Sequence, residues 1–292
     1  MAKKVLTPEE LEIKKIKKQY RKEKWSRIGT VFLAIVVALS AITIGKNAGL
    51  DKVKDSLTTN QSNQSSNSNT PQSPSADVDL TPDANLADDP SQWSKEQIIN
   101  FYKQSAAKSH SNVESSQTME LTKMIVNDGD GALGGFINLV RPVIDSVVAK
   151  QTLTFEGITG GYNNLVASDA ASAKAYKDGK YTVIEMTMVE QTDGLYGDPF
   201  EGTVGHAITV LGNVATAVDE FPQFDIRYKE ADIKIHYANP TVKVRINENG
   251  IIEKGTWQYD TQIDIKHLQI ESVMVDKAEA EIIYKIVVGG GF

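Results

Sequence analysis

The chain carries four histidines, His110, His206, His236 and His267, and no cysteine, so any metal or thiol chemistry has to be built from very few groups. No two histidines stand at the i, i+4 spacing by which one helix face presents a zinc pair, and there is no His/Cys ligand pattern. They read as four unrelated residues. Asp128-Gly129-Asp130-Gly131 partly matches a calcium loop, but the fifth position is Ala132 and the twelfth is Leu139 instead of a bidentate glutamate, so a turn is the better reading. Gly157-Ile158-Thr159-Gly160-Gly161 lacks the lysine of a phosphate loop, and no Gly-x-Ser-x-Gly nucleophile turn is present. Asp193, Asp198 and Glu201 share the loop EQTDGLYGDPFEG and could gather around a cation or a basic partner, although a solvated acidic loop is the better reading. With no catalytic, cofactor or metal constellation, the sequence is read as that of a non-enzyme without a cofactor.

Charge along the chain argues in the same direction. The net charge is -7, yet residues 1–27 hold ten Lys/Arg against four acids, a balance of +6 that leaves -13 for the remainder. That remainder repels nucleic acid, so no nucleic-acid partner is expected. The absence of cysteine excludes disulfide-stapled and iron-sulfur folds.

Between the two regions lies Ile28 to Gly45, eighteen uncharged residues of which ten are Ile, Leu, Val or Phe. As a helix this stretch would extend roughly 27 Å, close to the thickness of a bilayer core. Trp25 and Arg27 stand at its start, and Ile28, Phe32, Val36, Leu39 and Ile44 run along it, so the sequence predicts a signal anchor with its basic end in the cytoplasm. Cleavage near Ala38-Leu39-Ser40 is the competing reading. Asn60 to Ser75 consists of Asn, Gln, Ser, Thr and Pro alone, and the Asp-rich stretch to Pro90 continues it, which predicts a disordered linker over 46–91. The expected layout is a basic segment (1–27), a span (28–45), the linker (46–91) and an extracytoplasmic α+β domain (92–292).

Within that domain, Ser94 and Gln97 form a capping box ahead of Ile98, Ile99, Phe101, Tyr102 and Ala106, predicting a helix to about Ser109. Thr118 to Thr122 alternates like a strand. Phe136 to Val148 and Val204 to Val218 have helical apolar spacing. Ala173–Tyr176 and Tyr181–Val189 bracket Asp178-Gly179 as a hairpin. From Phe224 onward the apolar period is two, with a turn at Asn247 to Gly250, which predicts a curved antiparallel meander packed against two or three amphipathic helices.

SKEQIINFYKQSAAK at Ser94 to Lys108, DGKYTVIEMTM at Asp178 to Met188 and the NENG turn together resemble uncharacterised single-pass membrane-anchored exported proteins of Gram-positive bacteria. The resemblance implies location at the cell membrane and this fold layout, and supplies no activity. The resulting expectation is a membrane-anchored extracellular domain that binds an envelope protein or an amphiphile. The amphiphile would lie between Val140, Ile144 and Val148 on a helix and Ile184, Met186 and Met188 on a strand. The alternative is a scaffold subunit of a conjugation or secretion machine.

Overall fold

A computed structural model of the chain describes residues 86–126, 153–215, 226–270 and 273–292. Helix α1 (Lys95–Ser109) starts where the sequence places it. Ser94 Oγ accepts the Gln97 N–H at 3.3 Å and Gln97 Oε1 accepts the Ser94 N–H at 2.9 Å, closing the capping box. The apolar face of α1 buries Ile98, Ile99, Tyr102 and Ala106, while Trp93 meets Phe101 at 4.8 Å between ring centroids. Ordered packing begins earlier than the predicted linker boundary. The Trp93 indole N–H donates to the Ala87 carbonyl at 2.7 Å, and Pro90 is buried in a 3-10 turn over Pro90–Gln92.

Among the described residues nine strands form one antiparallel sheet: β1 (Glu114–Val126), β2 (Leu153–Glu156), β3 (Ala170–Asp178), β4 (Tyr181–Met188), β5 (Gln191–Asp193), β6 (Ile226–Arg227), β7 (Ile233–Ile246), β8 (Ile252–Ile270) and β9 (Val273–Val288). Their order is β2-β1-β9-β8-β7-β4-β3, with β5 paired to β7 and β6 to β8. The predicted meander is β7-β8-β9. Its period-two residues Ile233, Ile235, Tyr237, Val242, Val244, Ile246, Trp257, Tyr259, Ile263, Ile265, Ile282, Tyr284 and Ile286 are all buried on one face.

Nineteen residues in β8 would extend about 60 Å if straight, longer than a domain of this size, so the sheet has to bend. One bend is at Asn239-Pro240, where the β7/β8 register shifts between Ala238 and Thr241. Asn239 there has φ 51°, a left-handed conformation that asparagine tolerates better than most residues. The β3/β4 hairpin closes with Asp178 paired to Tyr181, so its two loop residues are Gly179 and Lys180, one position beyond the predicted Asp178-Gly179. The core contains Trp257, Tyr237, Tyr259, Ile184 and Met188 from the sheet with Tyr102 of α1 and Ile208, and Tyr259 is stacked on Tyr284 at 4.7 Å and edge-on to Tyr237 at 5.3 Å.

Two expectations are corrected. The predicted helix from Val204 is only α2 (Gly202–Ala207); Thr209 then has φ 93° and Gly212 φ 71°, which no right-handed helix contains. Val204, Ala207, Ile208, Leu211, Val214 and Ala215 are nevertheless buried, because the turn after α2 packs into the core and mimics a helical period. Val218 and the predicted helix Phe136 to Val148 lie outside the described residues.

The second correction concerns the membrane. Among the described residues no helix is long and apolar enough to cross one. A span needs about 20 apolar residues, whereas α1, the longest described helix, has 15 residues including Lys95, Glu96, Lys103 and Lys108. The stretch Ile28 to Gly45, with Trp25, Arg27, Phe32, Val36, Leu39 and Ile44, lies outside the described residues. A fold preceded by a membrane helix, a membrane partner and a single-pass topology with an extracellular domain are therefore not supported. The resemblance to membrane-anchored exported proteins falls with them.

Candidate functional site

The histidines sit at four separate places, each against its own neighbours. His206 Nδ1 lies 2.8 Å from Asp169 Oδ2 and its Nε2 3.6 Å from Glu201 Oε2. His236 meets Thr192 Oγ1 at 2.8 Å and Glu190 at 3.3 Å, and His267 meets Asp232 at 3.2 Å. The His110 ring is 6.4 Å from that of Tyr162. Among the described residues no three metal-ligating side chains converge. Asp128 to Gly131 lies outside them.

Asp193, Asp198 and Glu201 do not gather either. Asp198 Oδ1 accepts the Phe200 N–H at 2.9 Å in a local turn, and Glu201 faces His206. Asp193 accepts from Gln191 Nε2 at 2.9 and 3.1 Å, and burial pushes its carboxyl above the usual range. Gln191 ties this region together from β5. Its Oε1 accepts the Val204 and Gly205 N–H groups at 2.8 and 3.2 Å, capping α2 from a different element, and its Nε2 also donates to the Glu201 carbonyl at 3.0 Å. Gln191→Ala should therefore cost about 1–3 kcal/mol, the range for leaving buried polar groups without partners. Denaturant unfolding checks this, and a loss below 0.5 kcal/mol (about the scale of surface substitutions) would show that water replaces the amide.

Beneath this network, Thr159 and Thr209 hydroxyls pair at 2.8 Å, the Gly160 N–H donates to Thr209 Oγ1 at 3.0 Å, and the Tyr259 hydroxyl donates to the Thr209 carbonyl at 2.9 Å. These contacts hold the left-handed turn at Thr209. Each polar group serves loop geometry.

The candidate lining residues on the sheet are core. Ile184, Met186 and Met188 are 0%, 2% and 1% exposed and belong to the main apolar cluster. Ile184 pairs across the strands with Ala175 and Val244, and Met186 with Ala173 and Val242. Val140, Ile144 and Val148 lie outside the described residues.

The opposite face of the sheet differs in character. Across β3, β4, β7 and β8, one row consists of Tyr176, Val183, Arg245 and Lys254; the next consists of Lys174, Glu185, Lys243 and Thr256. In the second row one carboxylate pairs with both lysines. Glu185 takes Lys174 at 2.6 Å and Lys243 at 2.9 Å and accepts from the Tyr176 hydroxyl at 3.0 Å, and these bonds, that to Lys174 first, pull its carboxyl down to about 2.

The first row holds no carboxylate. Arg245 and Lys254 stand directly opposite each other, and among the described residues neither forms an ion pair. Like charges so placed repel. The nearby Glu253 carboxylate is occupied by the Asn247 side-chain amide at 2.9 Å. The Arg245 guanidinium lies over the Tyr181 ring at 4.5 Å, and its buried Nε has no hydrogen-bond partner. Lys180 adds a third cation 5.4 Å from the same ring. Phe292, anchored by its N–H to Thr256 Oγ1 at 2.9 Å, places its ring 4.7 Å from Lys243 and 5.1 Å from Lys254 and is 45% exposed.

Sequence reading missed this group. The signal was the polar alternation of Lys243 and Arg245, but counting symmetrically from Asn247–Gly250 pairs Arg245 with Ile252. A wider turn, with the Asn247 N–H donating to the Ile251 carbonyl, and a bulge beside Ile246 move the partner to Lys254.

No protein-family model, curated protein or solved structure matches the chain. Neither an envelope binding family nor a conjugation or secretion family is therefore supported, and the membrane-anchored binding and scaffold readings are dropped. The chemistry of the outer face is what remains.

Proposed function

We propose that this domain binds its ligand without transforming it, and that the ligand is a small multivalent anion seated on the outer sheet face at Arg245 and Lys254. One observation carries the reading: two cations stand at paired positions on neighbouring strands, neither ion-paired among the described residues, and one lies over an aromatic ring. An anion placed there relieves the repulsion and accepts charge-assisted hydrogen bonds from a guanidinium that Tyr181 already orients. A binding role also fits the interior, where the carboxylates and hydroxyls described above are engaged in holding turns.

The test is calorimetric titration of the full chain with citrate, sulfate and phosphate at constant ionic strength. At least one should bind the wild type, and Arg245→Ala should weaken that binding about tenfold or more, the loss of one charge-assisted contact. No binding of any of the three, or equal binding by the variant, would overturn the reading.

A further inference from the structure

Resting on that reading, we infer that the anchoring group of the ligand is a phosphate monoester dianion carried on a flat, apolar body. The argument starts from charge. Two cations without an ion-pair partner among the described residues stand at paired positions on adjacent strands, whose axes lie about 4.8 Å apart, so one compact group can reach both. A phosphate monoester carries about -1.5 to -2 charges at pH 7 and three acceptor oxygens, enough for a guanidinium and an ammonium together, whereas a single carboxylate or sulfate ester carries one charge.

Shape supplies the second step. The half-exposed Phe292 ring stands beside Lys254, and the Tyr181 ring lies under Arg245. A flat body attached to the phosphate can rest against Phe292 while the phosphate sits between the cations. Length supplies the third. The chain beyond residue 27 carries -13 net, so its overall charge opposes a long polyanion, while a single phosphate group interacts within one screening length, about 8 Å at physiological salt. Nearby charges among the described residues include Lys180 and Lys243 on the favourable side, with Asp178 opposite Tyr181, the Asn247-bound Glu253 and the Lys-bound Glu185 against it.

Titration of the full chain with four probes tests the inference: phenyl phosphate, phenyl sulfate, methyl phosphate and inorganic phosphate. Phenyl phosphate should bind at least about fivefold more tightly than phenyl sulfate at pH 7.5, the effect of one extra charge near 4 Å in a watery setting. This preference should disappear at pH 5, where the phosphate has lost its second charge. Phenyl phosphate should also exceed methyl and inorganic phosphate, and Lys254→Gln, a change at a half-buried side chain that leaves the Arg245–Tyr181 contact in place, should abolish the preference over sulfate.

Equal affinity for phenyl phosphate and phenyl sulfate would overturn the dianion while leaving anion binding standing. Equal affinity for phenyl and inorganic phosphate would overturn the flat body. Tighter binding of a ten-nucleotide DNA single strand than of phenyl phosphate would overturn both, and binding of no anion at all would remove the parent reading as well.

Discussion

Trp257→Ala should destabilise the fold by about 3–5 kcal/mol, a large part of the 5–15 kcal/mol typical of a domain. Trp257 is fully buried, and its indole N–H donates to the Tyr102 hydroxyl at 2.8 Å, joining the middle of the sheet to α1. Tyr102 is also fully buried, and burial pushes its phenol well above the ordinary range, so it remains a neutral partner at every working pH. The site is shaped for the indole. At Gly255, two residues earlier on the same face, a Cβ would come within 2.4 Å of the six-membered ring. Trp257→Phe keeps most of the apolar burial and removes the donor, so a loss of about 1–3 kcal/mol is expected. Combining it with Tyr102→Phe should cost less than the sum of the two single changes, by roughly 1 kcal/mol. Strict additivity in denaturant unfolding would show that helix and sheet are held by area alone.

Trp257 also illustrates how much of the fold was legible. Alternation at Trp257 and Tyr259 placed both on the buried face, and the capping box at Ser94 placed the start of α1; both signals are local, set by residues two to four positions apart. The hairpin at Gly179 and the turn at Asn247 were legible for the same reason, because their loop residues adopt conformations that glycine and asparagine favour. The segment after Val204 failed because burial of Ile208, Leu211 and Val214 comes from a loop folded into the core, and apolar spacing alone cannot separate that from a helix. The site was less legible still. Its defining fact, Arg245 opposite Lys254 with neither ion-paired among the described residues, depends on a bulge that sets the register and on Asn247 engaging Glu253, and neither leaves a pattern in the sequence. Asp193, Asp198 and Glu201 are neighbours in sequence, yet each is held by a different group.

Gly160→Ala should be the most damaging single-methyl change in the loop network, at about 2–5 kcal/mol. Two costs combine there. Gly160 has φ 87°, where an alanine is strained by about 1–2 kcal/mol. Its Cβ would also stand 2.7 Å from the Ala207 carbonyl carbon and oxygen, backbone atoms at the end of α2 that cannot rotate away, and overpacking of this kind costs about 1–3 kcal/mol. Moving Ala207 would disturb the Gly160 N–H bond to Thr209 and with it the left-handed turn that Tyr259 supports from the sheet. Gly179→Ala provides the control, since Gly179 has φ 61° but nothing within 4 Å of the added methyl, so only the strain of about 1–2 kcal/mol remains. Comparing the two by denaturant unfolding separates conformational strain from crowding. If the Gly160 variant loses no more stability than the Gly179 variant, the segment after α2 yields freely, and Thr209 would not be held by the contacts assigned to it.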